Sequence, residues 1–202
     1  MSRSRKIGIN KTPRQARRGV FARGGSKSSP AGSFRRFWAR YRSVISSFVI
    51  FFGAVAVFIF LYSRLRATPS FDGFLRFTAR VTAILLNLTG GGVVVKETLV
   101  SSPRFAFQIV DLCTAIMPMM IFTAAVLAFP SRIKDKGLGL LIGLAGIFVV
   151  NQLRLVSLFY IGSYVPGIFD TTHLLVWQSL MILASIGFWL LWAYKYVHAT
   201  AV

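Results

Sequence analysis

The sequence predicts an all-α integral membrane protein with about four transmembrane helices, an outer interfacial helix and a short external β-hairpin. Three observations lead there. Hydrophobic residues make up 55% of the 202, with 19 phenylalanines and a mean hydropathy of +0.65, the composition of a chain whose solvent is lipid. Four apolar stretches, residues 44–62, 112–129, 138–163 and 174–194, each approach or exceed the ~20 residues that a crossing requires. Positive charge is concentrated at one end: 13 of the 24 Lys and Arg lie in the first 43 residues, and no acidic residue precedes Asp72.

Residues 1–43 are rich in Arg, Ser and Gly and lack apolar periodicity, so they are expected to be disordered. Because this segment leads directly into an apolar run, its expected partner is anionic lipid at the cytoplasmic face, with no nucleic acid involved. It is too long for a signal-peptide n-region, and no small-residue cleavage site follows the run. Residues 44–62 therefore read as a retained signal anchor. The expected organisation is a basic cytoplasmic tail, 1–43, and a membrane-embedded domain, 44–202.

The apolar run 112–129 stops at Pro130, and Ser131-Arg132-Ile133-Lys134-Asp135-Lys136-Gly137 forms a short basic loop. The positive-inside rule places that loop in the cytoplasm with the basic N-terminus. Both assignments hold only if residues 67–111 do not cross. Within them, 71–88 is apolar but carries Arg76, Arg80 and Asn87 at near-helical spacing, as in a helix lying in the outer interface. A fifth span is the alternative. After Gly90-Gly91-Gly92, residues 93–100 and 105–110 are β-branched or aromatic runs around a Ser101-Ser102-Pro103-Arg104 turn, which reads as a hairpin.

The chemistry gathers around one costly residue. Arg154 sits in an almost wholly apolar helix, where insertion costs about 2.5–3.5 kcal/mol at the midplane. Asn151, three residues earlier, shares its face. By alternation, Arg154 approaches the outer face. Cys113, opening one inward helix, and His173, opening the last, come to the same depth.

Each residue has a plainer reading: a snorkelling arginine, a small buried cysteine, a solvated histidine at a helix start. Asp111 is a candidate N-cap that would set Cys113 in the first helical turn, where the dipole and Arg154 favour thiolate while burial and the Asp111 charge oppose it. Asp170 favours imidazolium at His173, and the helix start disfavours it. Other chemistry lacks its residues. There is no zinc-ligand spacing, phosphate-binding glycine loop or pair of intramembrane carboxylates, and no cofactor is expected. The single cysteine excludes an internal disulfide, and His198 looks incidental.

Asp111-Leu112-Cys113, then Asn151-Gln152-Leu153-Arg154-Leu155-Val156-Ser157-Leu158-Phe159-Tyr160, then His173 opening a final span, resemble the exosortase/archaeosortase family. The short length and Val176-Trp177-Gln178 look most like its exosortase H type. The chain departs in having Thr114-Ala115 after the cysteine, where many members have Ser-Gly or Asn-Gly. The resemblance implies a cysteine transpeptidase or protease of the bacterial cytoplasmic membrane, its active site facing the periplasm. Its partners would be exported proteins ending in a short motif, an apolar helix and a basic cluster, and an acceptor of unknown identity. Cys113 would be the nucleophile, Arg154 the oxyanion partner and His173 the proton carrier, with Asn151, Asp111 and Asp170 in support. The competing reading is a non-enzymatic assembly subunit or small transporter in which Asn151 and Arg154 form a polar helix contact.

Overall fold

The computed structural model describes residues 30–197, with side chains from Tyr41 to Lys195. Most of the tail expected to be disordered, residues 1–29, and His198 lie outside the described residues. The chain divides into two compact units, Met1–Tyr41 and Arg42–Val202. In the first, the described residues are helical.

The first helix, α1, runs over Pro30–Leu65, so structure begins inside the stretch expected to lack it. None of the apolar window within Tyr41–Leu65 is buried against the rest of the protein. Such a helix needs an apolar medium around it. The other helices are α2 (Pro69–Leu88), α3 (Ile116–Ala128), α4 (Ile133–Tyr164) and α5 (Pro166–Lys195). Three of the five are long and apolar enough to cross a bilayer, namely α1 over Tyr41–Leu65, α4 and α5, and α3 is a shorter apolar helix. The protein is a multi-pass membrane protein with a small sheet.

Two expected helix boundaries move, and prolines explain both. The run 112–129 is not one helix. Asp111–Cys113 forms a separate 3-10 turn, Thr114 is extended, and α3 starts at Ile116. Had the helix begun at Leu112, Pro118 would lie in its interior, costing about 3 kcal/mol; starting at Ile116 places it in the first turn, where its missing N–H is harmless. Asp111 is therefore not the N-cap of α3, and Cys113 precedes the helix. Likewise α5 starts at Pro166, within its first turn, a favoured place for proline. His173 thus lies two turns inside, in a π-helical segment, Thr172–Trp177.

α4 is the central helix, packed against α2, α3 and α5. The directions can be read from side-chain partners. Phe122 of α3 fills the space beside Gly143, and the Lys136 ammonium donates to the Leu127 carbonyl at 2.6 Å, so α3 and α4 are antiparallel. Trp192 covers Gly139 and Phe188 covers Gly146, which makes α5 antiparallel to α4 too. These three glycines lie on one stripe of α4, where small residues let aromatic rings of neighbouring helices close in.

α2 behaves differently from expectation. Phe77 stacks on Phe148, Thr82 Oγ1 donates to Gln152 Oε1 at 2.8 Å, and Tyr160 Oη donates to Thr89. The separation stays at 70 or 71 residues throughout, so α2 climbs beside α4 in the same direction. It buries Thr78, Ala79, Thr82, Ala83 and Leu86. The sequence laid this helix in the interface; packing stands it against α4, because its threonine and alanine face fits a polar glutamine flank.

α2 ends at a glycine turn in which Gly90 has a φ of 82°, the left-handed close that glycine permits without strain. Asn87 ties the following loop by bonds to both the N–H and the carbonyl of Val93. The expected hairpin is a three-stranded antiparallel sheet, β1 (Val94–Lys96), β2 (Leu99–Ser101) and β3 (Ala106–Gln108). The extra turn falls at Glu97, at a φ of 59°, in a two-residue connection of the kind that favours positive φ. Val93, Val100 and Ile109 pack with Ala79, Leu86, Leu155 and Phe159. The sheet therefore covers the C-terminal ends of α2 and α4.

Candidate active site

Cys113 leaves β3 on the short Asp111–Cys113 turn, and that turn is fastened from three directions. Internally, the Asp111 backbone carbonyl accepts from Thr114 Oγ1 at 2.6 Å and from the Thr114 N–H at 3.1 Å. From α1, Tyr62 Oη donates to Asp111 Oδ2 at 3.1 Å, while Asp111 Oδ1 accepts from the Leu112 N–H. From α4, Asn151 Nδ2 donates to the Cys113 carbonyl oxygen at 3.1 Å. The thiol itself is free and half-buried. Its sulfur lies 4.0 Å from the Gln108 carbonyl oxygen, a long contact.

Arg154 lies one turn beyond Asn151 on α4 and is only 4% exposed. Its Nε has no hydrogen-bond partner, and the guanidinium lies within electrostatic range of Cys113 and His173. Three elements distant in sequence therefore bring thiol, guanidinium and imidazole within electrostatic reach. His173 stacks on Phe169 with centroids 5.9 Å apart, and its charge also interacts with Asp170. Phe169 packs on Phe105, which packs on Phe107 and Phe159. An aromatic wall thus holds the imidazole against the sheet.

A buried guanidinium whose Nε is unpaired is costly. The donor set here can receive negative charge at two places, on a thiolate or on an oxyanion formed beside it. Asn151 does not support Arg154 as the spacing suggests. It bonds the backbone of the cysteine turn instead, and its Oδ1 stays buried without a partner. Neighbouring Gln152 is also buried; its Oε1 accepts from Thr82 on the α2 side, while its Nε2 stays buried without a partner. Among the described residues, no three His, Cys, Asp or Glu side chains come together as a metal site would require.

Tyr62 was not singled out in the sequence, and Thr114 entered only as a departure from the family's pattern. A tyrosine near the end of an apolar anchor reads as an interfacial aromatic, and nothing local pairs it with a carboxylate 49 residues away. Thr114 follows the cysteine directly, and its hydroxyl could have suggested a turn-closing bond.

The sequence matches the family described as transmembrane exosortase (Exosortase_EpsH) over residues 37–193. That range holds every element described above apart from the first turns of α1 and the last two residues of α5. Neither the curated proteins nor the solved structures contain a match to the chain. With most of its length matched, this chain belongs to the transmembrane exosortase family.

Proposed function

We propose that this protein is a membrane-embedded cysteine transpeptidase or protease that cleaves the C-terminal sorting signal of exported proteins. What supports the reading most is the placement of Arg154, buried, unpaired at Nε, and within electrostatic range of both Cys113 and His173. The Cys113 proton passes to His173, and the thiolate sulfur attacks the scissile carbonyl carbon, forming a C–S bond. Arg154 stabilises the oxyanion, an effect of about 10²–10³ in rate for one donor. The C–N bond then breaks as His173 protonates the leaving amine. An amine or another acceptor attacks the thioester, gives its proton to His173 and releases the thiol. Asp170 supports the imidazolium that forms in each half-reaction.

The basic residues at the start of α4, Arg132, Lys134 and Lys136, are the basis of the proposed orientation. They belong in the cytoplasm, so α4 runs outward and the site faces the periplasm across the bacterial inner membrane. The basic tail is proposed to rest on anionic lipid.

The test is Cys113→Ala, assayed on an epitope-tagged exported protein of the same genome that ends in a motif, an apolar span and a basic cluster. Full-length precursor should accumulate while the variant inserts normally. Normal processing by that variant sinks the enzymatic reading and leaves the structural one, a non-enzymatic assembly subunit or transporter.

A further inference from the structure

On the far side of α3 from its packing on α4, the protein is open along a face of exposed apolar residues. A groove of about 550 Å³ lies between α1, α3 and α5, walled by Phe48, Met117, Ile121, Gln178, Ile182 and their neighbours. The walls are apolar except for two serines and Gln178. Phe48, Met117, Ile121 and Ile182 are all exposed. Within a bilayer such a slot is filled by a lipid chain or by an apolar helix.

Three features favour the helix of a peptide substrate. First, the walls lead to the candidate site: Met117 is four residues after Cys113 on the α3 side, and Gln178 is five after His173 on α5. Second, the lining runs along α3 from Met117 to Phe129 and along α5 from Gln178 to Trp189. Each is a straight wall of about 16–18 Å at 1.5 Å per residue, or three helical turns. Third, the Gln178 amide is exposed on this wall and makes no hydrogen bond among the described residues. A hydrocarbon chain offers it nothing. A peptide that unwinds to present its scissile bond bares N–H and C=O groups, which are costly in an apolar setting unless paired. An amide supplies both a donor and an acceptor for them.

We propose that this groove seats the apolar helix of the sorting segment, with Gln178 pairing the substrate backbone where that helix unwinds toward Cys113. The proposal rests on the transpeptidase reading above.

A photo-crosslinking residue, p-benzoylphenylalanine, placed at Ile182 in the Cys113→Ala protein tests the seat in membranes containing the tagged precursor. A light-dependent adduct with the precursor is expected at Ile182. None is expected at Leu183, which is 63% exposed against 50% for Ile182 but lies outside the groove. Lipid adducts alone at Ile182, or equal precursor adducts at both positions, overturn the proposal. Accumulated precursor without an Ile182 adduct removes the groove and spares the reaction, so the two failures are distinguishable. Gln178→Leu should slow processing about tenfold, the cost of roughly one buried hydrogen bond, with partial recovery in Gln178→Asn. Unchanged processing in Gln178→Leu removes the backbone clamp.

Discussion

Asn151 holds the backbone of Cys113: its amide nitrogen donates to the cysteine carbonyl oxygen across 3.1 Å, from the centre of α4 to a turn 38 residues away. On the reading proposed above, this bond would position the nucleophile without touching its sulfur. Replacing Asn151 with Leu leaves a carbonyl unpaired, about 1–3 kcal/mol, and lets the turn drift. Processing should fall by about 10²-fold, as expected for a displacement near 1 Å, while protein levels change little. A rate within twofold of the parent would show that the turn is held by Asp111 and Thr114 alone.

Arg154 allows activity and stability to be separated. A buried guanidinium with an unpaired Nε burdens the fold, so Arg154→Met should raise the melting temperature in detergent and still lower processing by about 10²–10³. A variant that loses both together would make Arg154 a structural residue.

Tyr62 is a positioning residue by the same logic, acting from α1 through the Asp111 carboxylate. Tyr62→Phe keeps the edge-on packing of its ring against Phe71 and deletes only the hydroxyl. We expect normal abundance, an altered rate of Cys113 alkylation, and processing reduced about tenfold, in line with one hydrogen bond to a charged group. Equal alkylation and processing rates in variant and parent would dismiss the tether.

The glycine stripe of α4 predicts a compensating pair. A side chain at Gly143 meets the Phe122 ring, so Gly143→Leu should destabilise by about 1–3 kcal/mol through overpacking. Adding Phe122→Ala frees that space, and the double variant should recover stability beyond the sum of the single effects. Additive losses in a detergent melting series would contradict close α3–α4 packing.

Orientation can be read with single cysteines in a Cys113→Ala background. Val94→Cys, on β1 and 69% exposed, should react with a membrane-impermeant thiol reagent from the periplasmic side. Arg132→Cys should react only after the cytoplasmic face is opened. The reverse pattern inverts the proposed topology.

Much of this was legible in the sequence because lipid imposes simple demands. Apolar length located α1, α4 and α5, and the cost of one arginine singled out Arg154, which lies within electrostatic range of Cys113 and His173. The rest depends on which groups face each other, and periodicity is silent there. The three-residue spacing from Asn151 to Arg154 fixes a shared face but not the carbonyl that comes opposite it. Arg76 and Arg80 made α2 look interfacial. Its small threonine and alanine face, which fits beside Gln152, sends no comparable signal. Pro118 and Pro166 did carry usable information about where α3 and α5 begin, hidden by the continuity of the apolar runs around them.

α3 has 13 residues, a rise of about 20 Å at 1.5 Å per residue against the ~30 Å of a bilayer core. Its far end is fastened to Lys136 at the start of α4. If that lysine marks one boundary, a site at the start of α3 would lie below the opposite one. A thioester formed at that depth would meet few water molecules. Its fate is then decided by access more than by intrinsic reactivity. On the transpeptidase reading proposed above, an acceptor carried down along the protein would outcompete solvent, and transfer would prevail over hydrolysis.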